Sequence, residues 1–152
     1  MAVIKQLVGT RTSLAFTGTT LSTLASATYV QNTTAYNCAT NQPLDVILEI
    51  DVTTTNTPTG NKQIVVFVQE SLDGTNFRTG PTSGTTTTRE PNLKFIGAIP
   101  LTTASTAEIA TFSVVQSLGY VPNSFFVVVK NDCGVALTSG TMFTSEISET
   151  VV

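Results

Sequence analysis

The sequence predicts an all-β fold: an antiparallel two-sheet sandwich, jelly-roll or immunoglobulin-like, of about seven or eight strands. Residues 44–52 carry the strongest signal, because Leu44, Val46, Leu48, Ile50 and Val52 alternate with Asp45, Glu49 and Asp51 at a period of two. Turn chemistry is the second: Asp73-Gly74 follows one apolar run, and Asn131-Asp132-Cys133-Gly134 closes another. The third is composition. Thirty threonines in 152 residues, with frequent Ser, Val and Gly, leave no stretch that combines helical periodicity with good helix formers.

Taken in order, residues 3–8 form an apolar run broken at Lys5, and short strands are expected at 12–16 and 34–38. Between them, residues 18–28 carry small side chains and only two leucines, Leu21 and Leu24, too little to bury much alone. Residues 1–33 therefore read as an extended N-terminal arm or edge strands, ordered either within the domain's own sheet or by docking on neighbouring subunits, and residues 34–152 as the β-sandwich domain. Residues 44–52 have one core face and one wet face. Residues 64–68 are apolar throughout, as expected of a central strand covered on both faces or half-covered by a neighbour, and 125–129 read the same way. Leu93, Phe95, Gly97 and Ile99 alternate toward one face, as do Ala110, Phe112 and Val114 within 108–115, and a final strand spans 142–147. Phe67, Phe95, Phe112, Phe125 and Phe126 read as core.

Charged residues make up 11% of the chain and hydrophobic ones 41%, with no histidine, no tryptophan and a net charge of -3. Histidine-type zinc sites, Ser-His-Asp and Cys-His nucleophile systems and histidine-ligated haem all require a residue this chain lacks. Seven dispersed Lys and Arg offer no phosphate-binding surface, so no nucleic-acid partner is expected. The apolar run at 125–129 falls far short of the roughly twenty residues of a membrane span, and Lys5 and Arg11 interrupt any secretory h-region. A chain of this length buries a core without staples, so no cofactor is expected. Cys38 and Cys133 fit no metal-ligand or redox spacing and are either two reduced thiols or a single bridge.

Chemical sites are weakly indicated, and no enzyme is expected. Glu49 and Asp51 share a strand face about 7 Å apart, within the range of paired glycosidase carboxylates, but alternating acids are the ordinary dress of a solvated strand. Glu70, Asp73 and Asn76 offer oxygens to calcium around a turn without the acid density of a calcium loop. Asn32-Thr33-Thr34 matches a glycosylation sequon. Tyr29, Tyr36 and Tyr120 are candidates for sugar or protein contact, with packing the plainer reading. Two Thr-, Gly- and Pro-rich loops, 53–61 and 79–91, are contact surfaces or mobile tips. The candidate subunit contacts are Val3, Ile4, Leu7, Leu21 and Leu24 in the first region, Thr54, Thr55 and Thr57 in the first loop, and Thr85, Thr86, Thr87, Thr88 and Arg89 in the second.

One resemblance covers about residues 44–145. Val66-Phe67-Val68-Gln69-Glu70-Ser71-Leu72-Asp73-Gly74-Thr75-Asn76-Phe77, Phe95-Ile96-Gly97, Gly119-Tyr120-Val121-Pro122, Phe126-Val127-Val128-Val129-Lys130-Asn131 and Gly134-Val135-Ala136-Leu137 resemble small β-sandwich virion proteins of tailed bacteriophages, most of all capsid decoration, or cement, proteins. The resemblance implies assembly in the host cytoplasm and attachment to the outside of an icosahedral shell. It implies the major capsid protein and copies of the chain itself as partners, and it brings no catalytic residues. A tail or fibre component, or a carbohydrate-binding or adhesin module, is the alternative.

Overall fold

A computed structural model describes residues 3–16, 18, 20–81, 83–86 and 90–151. Among them, ten strands form two antiparallel sheets. The strands are β1 (Ile4–Val8), β2 (Thr12–Ser13), β3 (Tyr29–Gln31), β4 (Tyr36–Asn37), β5 (Asp45–Thr53), β6 (Gln63–Ser71), β7 (Lys94–Pro100), β8 (Glu108–Ser113), β9 (Ser124–Asn131) and β10 (Ser139–Val151). One sheet runs β1-β10-β5-β8, with β2 beside β10. The other runs β3-β9-β6-β7, with β4 beside β9. With β1/β2 and β3/β4 each taken as one interrupted strand, eight positions remain, and their order is that of a jelly roll rather than an immunoglobulin domain. The two interruptions account for ten strands where about eight are expected from the sequence.

The core lies between the sheets. β5 alternates as its sequence requires, with Val46, Leu48, Ile50 and Val52 fully buried. Opposite them stand Ile64, Val66 and Val68 of β6 and Phe125, Val127 and Val129 of β9, in register as Val66↔Val129 and Val68↔Val127. β6 is buried on its second face too. Tyr29, Phe67, Leu93 and Val128 form a smaller cluster there, so the cover on this central strand comes from within the chain.

Several sequence expectations need correction. Leu93, Phe95, Gly97 and Ile99 do not share a face, because the β6–β7 register shifts between Val66 and Phe67 and passes over Ile96, which turns into the core. Phe95 is consequently 58% exposed and meets Phe67 edge-on on the outer face. Gly97 faces inward where a Cβ would strike the Phe112 ring, so the small residue sets how closely β7 approaches β8. The strand expected at 108–115 ends at Ser113, whose Oγ accepts from the Gln116 N–H at 2.9 Å and caps a one-turn helix α1 (Val114–Leu118), with Gly119 at φ 84° as its C-cap. Asp45 holds this turn against β5 by accepting from the Val115 N–H at 2.9 Å and from the Ser113 hydroxyl.

Residues 1–33 supply edge strands to both sheets, β1 to one and β3 to the other. β3 lies in a sheet beside β9, and a 3-10 turn at Leu21–Thr23 lies under β10, so both Leu21 and Leu24 are completely buried in the core. They are core residues and not subunit contacts. Burying two leucines is what orders this small-residue stretch, and Leu24 O also accepts from the Leu137 N–H and the Asn131 side chain. Cys38 and Cys133 are both free and buried, and burial followed by the nearby Glu146 charge pushes the Cys38 thiol up to about 12. Leu24→Ala should lower stability by about 2–5 kcal/mol in a urea melt, the cost of a core cavity; a loss under about 1 kcal/mol would place this segment outside the core.

Candidate functional site

The structure separates the candidate contacts. β10 pairs with β5 from Ser139 to Ile147, then continues to Val151 with β1 as its partner. The last residues of β10 and all of β1 thus make a two-stranded ribbon that extends the sheet beyond the end of β5. All of β1 is exposed, with Val3 at 53%, Ile4 at 62%, Leu7 at 50% and Val8 at 70%. Ile4, Gln6 and Val8 face one side of the ribbon, Lys5 and Leu7 the other, so both sides carry exposed apolar groups. Of the candidate contacts in this region, Val3, Ile4 and Leu7 are exposed on the ribbon, and Val8 is exposed beside them.

The loop at 53–61 leaves from the opposite end of β5, roughly 27 Å from where the ribbon begins. Thr54 is fully buried and not a surface contact: its hydroxyl donates to Asn56 O, and its own carbonyl accepts from the Ser105 N–H at 2.6 Å. Thr55 and Thr57 are exposed. The loop is anchored where the Thr59 and Gly60 N–H groups donate to Cys133 O at 3.0 and 3.1 Å.

The described residues Gly84 and Thr85 of the second loop lie along β3. Gly84 N–H donates to Tyr29 O at 2.7 Å and Tyr29 N–H to Thr85 O at 3.1 Å, so this segment covers the outer edge of β3. Phe77 stacks at 4.7 Å on Phe126, and Leu93 joins the outer cluster. Thr85 is half-buried and Thr86 exposed; Thr87, Thr88 and Arg89 lie outside the described residues. Glu90 fixes the end of the loop, accepting from Lys130 Nζ at 2.8 Å and from the Tyr29 hydroxyl.

Most of the other chemical candidates are engaged in structure. Glu49 accepts from Arg11 Nε at 3.0 Å, and the Arg11 guanidinium lies 3.2 Å from the centroid of Phe143, which anchors β2 to the sheet face. Asp73 accepts from the Asn76 and Thr75 N–H groups at 2.7 and 2.8 Å, from Asn76 Nδ2 and from Ser71 Oγ. Those donors, the Asn76 N–H first, hold its carboxyl well below the usual range. Glu70 is almost fully buried, yet it accepts from Arg78 Nε at 2.7 Å and from the Tyr120 hydroxyl. Its two oxygens are thereby satisfied at the core boundary. Among the described residues, no group of three or more Cys, Asp or Glu could hold a metal ion. Asn32 of the sequon is buried, accepting from the Val127 N–H at 2.7 Å and donating to Thr34 O at 2.6 Å, so it bridges backbone. Tyr29 and Tyr36 are likewise held within the fold, their hydroxyls donating to Glu90 and Glu146. No protein-family model matches the chain, and no curated protein matches it.

Loop docking should depend on pH. Burial pushes the Glu90 carboxyl up, but Lys130 and the Tyr29 hydroxyl outweigh it, and its pKa is lowered in the folded protein. A lowered folded-state pKa means that Glu90 stabilises docking above the ordinary carboxylate range and that this contribution is lost as pH falls through the folded value. Acidification below about pH 4 should therefore increase proteolytic nicking within 83–92, and Glu90→Gln should remove that acid-dependent component. The same acid dependence in wild type and variant would contradict the assignment.

Proposed function

We propose that the chain is a structural virion protein that attaches to the outside of a bacteriophage capsid shell, a decoration or cement protein, with no enzymatic activity. The observation that carries this reading is the terminal ribbon, which presents Val3, Ile4, Leu7 and Val8 beyond the sandwich next to an open strand edge. A strand of this kind adds to a neighbour's sheet through main-chain hydrogen bonds, with alternate side chains supplying apolar contact. The remaining surface supports the same division of labour. The threonine-rich loops are tied to the body at Thr59, Gly60, Gly84 and Thr85, and Glu49, Glu70 and Asp73 are engaged in ion pairs and turns. The jelly roll is shared by virion proteins and lectins, so the fold alone does not choose between them. Phe95 and Tyr120 are the large aromatics exposed among the described residues, and the Tyr120 hydroxyl is already held by Glu70.

Attachment that rests on apolar and backbone contacts is only weakly sensitive to salt, a benefit to a protein with 11% charged residues. Two measurements test the proposal. Gel densitometry of purified particles should find hundreds of copies; a handful would indicate a tail component, and none a non-virion protein. Deleting residues 1–9 should leave the melting transition of the sandwich in place, since Leu21 and Leu24 are retained, while reducing co-sedimentation with undecorated shells by tenfold or more. Unimpaired binding of the truncated chain would move the attachment surface to the loops.

A further inference from the structure

The open edge of β1 has a hydrogen-bonding phase that can be read from its pairing with β10. The Gly9 N–H donates to Glu146 O at 2.7 Å, so residues 9 and 146 form a hydrogen-bonded pair. Alternation along an antiparallel ladder then makes Leu7↔Ser148 and Lys5↔Thr150 hydrogen-bonded pairs as well. Ile4, Gln6 and Val8 are left with their N–H and C=O groups directed away from β10. β1 is the end strand of its sheet, so these groups line its outer edge.

We infer that two copies of the chain pair through this edge, β1 against β1 antiparallel, about a two-fold axis at Gln6. The inference deepens the reading of the ribbon as an assembly surface, and three arguments select a second copy as its occupant. The first is register. Pairing centred on Gln6 sets Ile4 opposite Val8 of the other copy, Gln6 opposite Gln6 and Val8 opposite Ile4, which uses every outward backbone group of the strand in about six main-chain hydrogen bonds. Centring on Lys5 sets two ammonium groups opposite each other, and centring on Leu7 leaves Ile4 unpaired. In the favoured register Lys5 lies opposite Leu7, where its aliphatic stem covers the leucine while the ammonium stays in water.

The second argument is stability. A two-stranded ribbon is marginal in water, whereas three or more strands with an apolar face are stable. A second copy contributes its own β1 and β10 and makes a four-stranded sheet. On one face of that sheet, the two Ile4–Val8 pairs flank the central glutamines, with Ile147 beside each Val8. The third is geometry. Each sandwich lies beyond the Val8 end of its own β1, where β10 meets β5 at Ile147, so antiparallel strands place the two bodies at opposite ends of the shared sheet. The contact is isologous and closed, and it covers the β1 edges of both copies at once.

Sedimentation equilibrium of the full-length chain without capsids tests this. Wild type should reach a dimer and go no further. Gln6→Pro removes an N–H that does not bond β10, a substitution an edge strand tolerates, so it should keep the wild-type circular dichroism spectrum while weakening association by tenfold or more. Gln6→Lys and Gln6→Glu, each placing like charges across the axis, should be monomeric alone and form a dimer when mixed. A wild-type chain that stays monomeric at its highest soluble concentration, a trimer, or Gln6→Pro dimers as tight as wild type would overturn the inference. Failure of restored dimerisation in the mixture would overturn the register. Capsid co-sedimentation of the same variants is read separately, so a dimer that binds no shell sinks the decoration reading alone, and a monomer that binds shells sinks the pairing alone.

Discussion

Every ladder in the structure joins a strand that ends by Ser71 to one that begins at or after Lys94. β6 turns into β7, β5 meets β8, β3 and β4 meet β9, and β1 and β2 meet β10, so the chain is one long hairpin rolled until its two sides also pair laterally as β10–β5 and β6–β9. This constraint governs the rest. The first strands have no partner until the last is in place, which makes the topology rich in non-local contacts and its folding correspondingly slow. It also brings the two chain ends together at one edge. β10 is longer than its β5 partner segment, and the excess, paired with β1, becomes the ribbon.

The same constraint explains where buried polar groups sit. Loops at the two ends of a rolled hairpin come from distant parts of the sequence and must be tied to one another. Asn131 ties the end of β9 to Leu24 O and Val135 O; Asn32 ties the chain after β3 to β9 through Val127; Asp45 ties the start of β5 to α1. These side chains replace backbone partners that no neighbouring strand supplies, and each of them is fully engaged. Gly84 and Thr85 play the corresponding part at the β3 edge, exchanging backbone hydrogen bonds with Tyr29. Among the described residues, no strand pairs with the outer edge of β1.

Strand existence was legible in the sequence because period-two alternation and turn residues are local signals, and β5 shows both without interruption. Sheet order was not legible, since the same alternation serves jelly rolls and immunoglobulin sandwiches and the choice is made by contacts between residues about a hundred positions apart. The Phe95 error came from assuming an uninterrupted ladder: Ile96 is passed over opposite the Val66/Phe67 step, and nothing local to 93–99 announces that shift. Helix α1 did have a signal, Ser113 before it and Gly119 after it, but five residues of helix carry too little periodicity to outweigh a strand pattern. Leu21 and Leu24 were misassigned for the opposite reason. Their neighbours are small and unpatterned, and their burial depends on β10 and the 131–137 segment folding against them. For the candidate site, the apolar character of Val3, Ile4 and Leu7 was visible from the start, whereas the open edge and its hydrogen-bonding phase exist only once β10 is paired.

In the proposed function, the open β1 edge is where the protein meets its assembly. Residue-resolved hydrogen exchange tests this most directly, with the dilute free chain compared against the chain bound on particles. Exchange at Ile4, Gln6 and Val8 should be fast in the dilute chain and strongly slowed in the assembly, with the amides of β5, β6 and β9 slow in both. Protection appearing instead at 53–61 or 79–91, with residues 4–8 exchanging equally fast in the two states, would contradict it.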